Sequence, residues 1–402
     1  MNRILCGFSV LILSGALLFT SCSTNLGPET LPSTTPSTEP TETETEQTTT
    51  TIAPELTDPS SVAVVTENAV EVNGKLKVKG TNIVNSSGKT FVLKGMSSYG
   101  IQDCSDFFTT EVIKTLAEDW GCNVLRICIT GDANTGYLKD PDKYFDPICK
   151  ICDMCISQGI YVILDWDVEY EKAANENKAK AVDFFTRISA IYSDSPNILY
   201  EVENNRILTE DDAKIKDEWE KNIKPFANDV IKAIRKNSPS SVVIVGAPER
   251  GLAIDTLTSK TRIKGDNIAY SSRIYSASHG LEYREKIQKA IKQGTCVLVT
   301  EWGLCSSDGT ESLNISETDA WSLFMEQNNI SWCNYAIGST FSDEANALYL
   351  INEKYSDEQK AAHWPAGLLT KSGIYIKGIL LKDIITSDSD STAETVPDAS
   401  EV

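Results

Sequence analysis

Short apolar runs recur along the chain, several of them ending on a polar or charged residue. They alternate with longer stretches whose apolar positions fall three and four residues apart. The runs are Phe91–Ser97, Asn123–Ile129, Tyr161–Asp167, Asn197–Asn204, Ser241–Ala247, Asn267–Tyr275, Cys296–Trp302 and Ser331–Ile337. A strand buried on both faces reads in this way. The stretches around Thr110–Trp120, Pro147–Gln158, Asn175–Tyr192, Asp212–Lys236, Leu281–Gln293, Glu317–Asn328 and Ser372–Ile385 read as helices. Strand–helix alternation implies a parallel sheet. Eight such strands in one stretch predict an α/β fold, a closed (β/α)8 (TIM) barrel. A doubly wound sheet is the alternative, but no Gly-rich phosphate loop follows the first strand. Leu76-Lys77-Val78 and Phe91-Val92-Leu93 flank Asn85-Ser86-Ser87-Gly88, which predicts an N-terminal β-hairpin before the barrel.

The ends of the chain lack this pattern. Asn2-Arg3 and the apolar Leu5–Phe19 read as an export signal, too short and too early for a spanning helix. Leu18-Phe19-Thr20-Ser21-Cys22 looks like a bacterial lipobox, so a lipoprotein-type signal over 1–22 and a lipid on Cys22 are expected, with plain secretion as the alternative. Residues 23–62 are rich in Thr, Ser, Pro and Glu and bury too little to fold; they read as a disordered linker. The barrel is assigned to 63–386, and 387–402 to an acidic disordered tail.

The net charge of −20 argues against nucleic acid as a partner, since phosphate binding needs clustered Lys and Arg. Of the eleven cysteines, Cys6 and Cys22 belong to the leader, leaving an odd number that cannot all pair within one chain. Cys149, Cys152 and Cys155 repeat at helical spacing, which favours small apolar packing. A metal site would need a fourth ligand at a recognisable spacing, and none is visible. Neither metal nor cofactor is expected. A monomer is expected.

In a parallel barrel, chemistry gathers at the C-terminal ends of the strands. Those positions hold Tyr99, Arg126, Asp165, Asp167, Asn204, Asn205, Arg273, Tyr275, Glu301, Trp302 and Tyr335. Glu301 ends the run Val-Leu-Val-Thr-Glu-Trp-Gly, and Glu is rarely buried without a partner. It is either a strand-end ion pair or a catalytic group. Carboxylates, amides, an arginine and aromatics together suit a sugar: hydrogen bonds for hydroxyls, flat faces for the ring.

Taken in order, several local matches resemble glycoside hydrolase family 5, closest to its bacterial endo-β-1,4-glucanase (cellulase) branch. Lys94-Gly95-Met96-Ser97-Ser98 is similar to that family's first strand, and Asn123-Val124-Leu125-Arg126 to its second, with an active-site arginine. Tyr161–Trp166 resembles the third strand, Asn197–Val202 the fourth, Val299-Thr300-Glu301-Trp302-Gly303 the seventh and Trp332-Cys333-Asn334-Tyr335 the eighth. The resemblance covers roughly residues 70–380 and implies a retaining mechanism, in which one carboxylate attacks the anomeric carbon and another donates, then accepts, a proton. It implies that Glu301 is the nucleophile and that β-linked polysaccharide or oligosaccharide is the ligand.

Several positions depart from the family pattern. Asn205 stands where the resemblance places the acid/base Glu, and an amide has no proton to give. Losing a general acid costs roughly 10²–10⁴-fold. Tyr99, Asp167 and Arg273 each stand where the family has His, and Tyr335 where it has Trp. Arg126, Asn204, Tyr275 and Glu301 keep the pattern. Glu203 points the same way as Asn205 but deeper, so Asp167 is the better substitute acid. Tyr275 and Trp302 are read as lining the cleft. Trp364 matches a family loop tryptophan that stacks on sugar or pins its loop. The sequence thus supports a surface β-glucan binder with little or no hydrolysis. The alternatives are an active hydrolase with Asp167 as displaced acid, and a scaffold that no longer binds sugar.

Overall fold

The computed structural model describes residues 68–130, 136–167, 178–202, 209, 211–310, 312–340, 351–352, 364 and 366–391. The leader with Cys22, the linker, and Glu203, Asn204 and Asn205 lie outside these residues. No described helix is long and apolar enough to cross a membrane.

The chain enters through helix α1 (Ala69–Asn73), capped by the Asn68 side chain, which accepts from the backbone N–H of Val70 and Glu71. Strands β1 (Lys77–Lys79) and β2 (Asn82–Val84) form the antiparallel hairpin. The hairpin is therefore tighter than the sequence reading. It turns at Gly80, which sits at φ 63°, rather than at Asn85–Gly88. Asn85–Gly88 instead makes a second turn, in which the Asn85 carboxamide accepts from the N–H of Ser87 and Lys89. An Asn side chain favours such a turn because it mimics a backbone acceptor, and antiparallel pairing closes across it between Val84 and Thr90.

Eight parallel strands then close a barrel: β3 (Lys94–Gly100), β4 (Val124–Thr130), β5 (Tyr161–Asp167), β6 (Ile198–Val202), β7 (Val243–Gly246), β8 (Ile268–Tyr275), β9 (Val297–Gly303) and β10 (Trp332–Ile337), with β10 pairing back to β3. At Gly95 the neighbouring strand approaches so closely that a Cβ would lie 1.9 Å from the Val124 carbonyl oxygen. Only glycine fits that approach.

Alternation along each strand makes two cores. One lies inside the lower barrel and is built from Leu93, Val124, Tyr161, Ile163, Leu199, Ile244, Ala269, Leu298 and Cys333; Val70, Leu76 and Ile83 of α1 and the hairpin region close it from below. The other lies between strands and helices and includes Trp120, Trp166, Phe184, Tyr200, Tyr270, Trp302 and Trp321. The outer layer includes α2 (Thr110–Lys114), α3 (Pro141–Ser157), α4 (Lys178–Ile191), α5 (Asp212–Glu218), α6 (Lys224–Asn237), α7 (Leu281–Lys292), α8 (Ile315–Gln327) and α9 (Lys371–Ser391). α3 starts two turns before the predicted Pro147, because Asp140 accepts from Lys143 N–H and Pro141 takes the first turn. α9 runs to Ser391, past the predicted start of the tail, since no Gly or Pro interrupts Ser387–Ser391. All nine cysteines from Cys104 to Cys333 are free thiols, and Cys152 and Cys155 of α3 pack into the outer core.

One irregularity positions the site. Along β8, Ser272 pairs with Val299 and Arg273 with Glu301. Along β10, Trp332 pairs with Val299 and Asn334 with Trp302. Strand β9 thus carries one residue more than either neighbour, Thr300, and its pleat shifts phase there. Bulges re-aim side chains in this manner.

Candidate active site

Below the bulge Leu298 belongs to the inner core and Val299 to the outer one. The pleat places Thr300 inward, and the bulge places Glu301 inward as well. Thr300 Oγ1 donates to Glu201 Oε1 at 2.5 Å, while Glu301 reaches the barrel mouth. Trp302 then faces out: it is fully buried, packs edge-on against Trp332 at 5.1 Å between ring centroids, and directs its indole N–H at Ser276. The expectation that Trp302 lines the cleft is therefore corrected.

Arg126 is the hub of the mouth. Its Nε donates to Glu201 Oε2 at 2.8 Å, its Nη2 to Asp165 Oδ2 at 2.7 Å and its Nη1 to Ser97 Oγ at 2.9 Å. Nη1 also lies 3.4 Å from Glu301 Oε2. A second guanidinium meets the same oxygen, with Arg273 Nη1 at 3.4 Å, while Arg273 Nη2 is 3.1 Å from Asp167 Oδ1. Tyr275 donates its hydroxyl to the other Glu301 oxygen, Oε1, at 2.5 Å. The ion pairs close a ring through four strands: Asp165 on β5, Arg126 on β4, Glu301 on β9, Arg273 on β8 and Asp167 back on β5.

Electrostatics differ around this ring. Burial pushes the Asp165 carboxyl well up; Arg126 opposes that shift and Glu201 adds to it. Burial also works to raise the Asp167 carboxyl, but the charges of Arg273 and Arg126 outweigh it and hold the group below the ordinary carboxylate value. Burial and the neighbouring Glu301 push the Tyr275 phenol well up, so it stays a donor. Cys128, Asp165 and Asp167 bring donor atoms within 4.8 Å of one another, a spacing a metal ion could use. Both carboxylates are already engaged by guanidiniums, and burial raises the Cys128 thiol well above its ordinary value. This donor set does not fit a cation.

Tyr99 and Tyr335 meet at 6.0 Å between ring centroids, and Tyr99 is 39% exposed at the lip. The Tyr335–Ala336 peptide is cis. Trp364 does not join them. It is only 2% exposed and packs edge-on against Trp120 at 5.7 Å and Phe107 at 6.5 Å, so its ring belongs to the outer core. The structure therefore gathers Arg126, Asp167, Arg273, Tyr275 and Glu301 in one mouth with Tyr99 and Tyr335 beside it, and leaves out Trp302 and Trp364.

Two residues were missed in the sequence. Glu201 interrupts the apolar run Ile198–Val202, and a charge in a doubly buried strand needs a buried partner, here Arg126. His279 lies four residues beyond Tyr275, and its Nδ1 accepts the Tyr275 backbone N–H at 2.9 Å. Burial lowers its imidazole to about 4, so the ring is neutral and acts as an acceptor.

A closed parallel barrel with its carboxylates, guanidiniums and tyrosines gathered at the strand C-termini has the layout of a TIM-barrel enzyme site. Residues 84–340 match the sequence model of cellulase (glycosyl hydrolase family 5). The chain is 30% identical over 314 residues to endoglucanase A of Evansella cellulosilytica, covering 78% of this chain and 61% of the relative. It is 32% identical over 304 residues to an endoglucanase of Clostridium saccharobutylicum, covering 76% and 64%. The matched region thus spans about three fifths of the length of these curated relatives. A solved structure from Cytophaga hutchinsonii superposes with a TM-score of 0.71 at 31% identity, covering 80% of this chain and all of that one. The catalytic domain of a Thermobifida fusca endoglucanase superposes with a TM-score of 0.68 at 26% identity, covering 78% and 99%. The protein belongs to glycosyl hydrolase family 5.

Proposed function

We propose that this protein binds β-linked glucan in its barrel mouth and hydrolyses it weakly or not at all. The observation that carries this reading is the pairing of a built nucleophile position with an amide at the proton-donor position. Glu301 is held by Tyr275 on one oxygen and by two arginines on the other. The sequence puts Asn205 where the family resemblance calls for the acid/base carboxylate. A retaining glycosidase needs both groups, because an unactivated sugar leaves only when its oxygen is protonated.

A displaced acid is the competing reading, and Asp167 is its candidate. The ion pair with Arg273 works against it, since a carboxylate held below its usual range carries no proton near neutral pH. A related Thermobifida fusca catalytic domain has been solved with cellotetraose bound, which supports a β-1,4-glucan as the first ligand to try. Export through the leader and anchoring by a lipid on Cys22 complete the proposal; the Thr/Ser/Pro/Glu-rich stretch would then hold the barrel off the membrane.

The test is a long incubation of the full chain with β-1,4-glucan, mannan and xylan oligosaccharides, with products read by mass spectrometry and binding by calorimetry. Binding without products is expected, and Asn205→Glu is expected to raise turnover by about 10²-fold or more. Products from the native chain that vanish in Glu301→Gln would overturn the reading. A further loss in Asp167→Asn would assign the acid to Asp167. Neither binding nor products would leave a non-binding scaffold.

A further inference from the structure

The departures at the mouth are not scattered. Asp167 and Arg273 each replace a histidine of the family pattern, sit on β5 and β8, and pair with each other at 3.1 Å. Tyr99 and Tyr335 also depart from that pattern, sit on β3 and β10, and pack on each other. Random decay leaves unmatched residues: a lone buried charge costs several kcal/mol. Here the new acid and the new base arrive as partners, both largely buried, in a position to act on Glu301.

The consequence for Glu301 is specific. Its Oε2 faces Arg126 and Arg273, both at 3.4 Å. Attack on an anomeric carbon turns the carboxylate into a neutral ester, so the negative charge that both guanidiniums stabilise disappears on the way to the transition state. Interactions stronger in the ground state than in the transition state slow a reaction. Asp167 holds Arg273 by its other nitrogen and so fixes it in that place.

We propose that Arg273, anchored by Asp167, is a positioning residue that quiets Glu301: its guanidinium, added to that of Arg126, favours the resting carboxylate over the ester and makes the mouth a holding site for sugar. This rests on the β-glucan reading above. It adds a second cause of silence, independent of the missing acid.

The two causes separate with a probe that needs no acid. In 2,4-dinitrophenyl 2-deoxy-2-fluoro-β-cellobioside, a Glu301 oxygen bonds to C1 while the C1–O bond to the aryl group breaks. The electron pair leaves with dinitrophenolate, which needs no proton, and the fluorine slows hydrolysis of the ester. Labelling is read as a mass increase on the full chain and mapped to Glu301, with cellotetraose binding measured on each protein by calorimetry. Arg273→Gln is expected to label at least tenfold faster than the native chain, while Arg273→Lys, which keeps a cation, recovers little of that gain. Asp167→Asn/Arg273→Gln removes both charges together, leaves no orphaned ion, and is expected to match Arg273→Gln. Labelling of the native chain as fast as the charge-free pair overturns the inference, and so does Lys behaving as Gln. Cellotetraose binding with no label in any form overturns it too. Loss of cellotetraose binding in every form, the native included, overturns the β-glucan reading itself and this inference with it.

Discussion

The same eight strands build two interiors of opposite chemistry. Below, Leu93, Val124, Ile163, Leu199, Ile244 and Leu298 meet as aliphatic groups that need nothing but close packing. One or two pleats higher, Arg126, Asp165, Glu201, Arg273 and Glu301 occupy the same inward-facing rows, almost equally shut off from water. The lower interior tolerates changes of shape in proportion to the volume lost. The upper one holds only while every charge keeps its partner, because desolvated ions cost several kcal/mol each when orphaned. Both interiors therefore carry stability, but the upper one carries it through paired ions at the open end of the barrel.

The sharpest way to break that contrast is Arg126→Met against Leu298→Ala. Removing Arg126 strands Asp165 and Glu201 and is expected to cost about 3–5 kcal/mol, or prevent folding outright. Leu298→Ala leaves a cavity and is expected to cost about 2–5 kcal/mol. Denaturant unfolding measures both, and pH distinguishes them. The Arg126→Met loss shrinks as acid neutralises the stranded Asp165, whose carboxyl burial already pushes well up, whereas the Leu298→Ala loss does not follow it.

A smaller effect sharpens the view of the mouth. The His279 imidazole is lowered from 6.5 to about 4 by burial. Between those values the unfolded chain binds a proton that the folded chain does not, so stability is complete above about pH 6.5 and falls as pH drops toward 4. The loss is about 2–3 kcal/mol. His279→Asn keeps an acceptor for the Tyr275 N–H and is expected to flatten that part of the pH profile relative to the native chain. An unchanged profile would show that His279 does not titrate differently on folding. The smallest effect is at the lip. Tyr99→Ala is expected to change stability by less than about 0.5 kcal/mol, as an exposed position. It is expected to weaken cellotetraose binding by roughly three- to tenfold through the lost aromatic face.

Much of the fold was legible because strands buried on both faces spell continuous apolar runs, and seven helical stretches separate or follow them. Lys94-Gly95-Met96 and Val299–Gly303 could be placed as strands from their residues alone. Glu301, Asp167 and Arg273 were legible as strand-end groups because a charged residue at the end of such a run has few places to go, but nothing in the residues paired Asp167 with Arg273. Trp302 was misread because its inward or outward aspect depends on the phase of β9, and a bulge that shifts the phase leaves no mark in the residues themselves. Glu201 was passed over because its meaning lies in Arg126, 75 positions away in the chain. Trp364 was left open by the sequence, since only contact with Trp120 and Phe107 decides between a sugar platform and a loop pin.

The bulge in β9 makes the identity of this site a matter of backbone phase as well as of side chains. With Thr300 present, two successive residues serve the interior, one fastening Glu201 and the next meeting Tyr275. Were the same residues paired without the bulge, the regular pleat would turn the Trp302 indole into the barrel and the Glu301 carboxylate out among the helices. An alignment that slips by a single position at this strand would therefore compare Glu301 with a relative's packing residue.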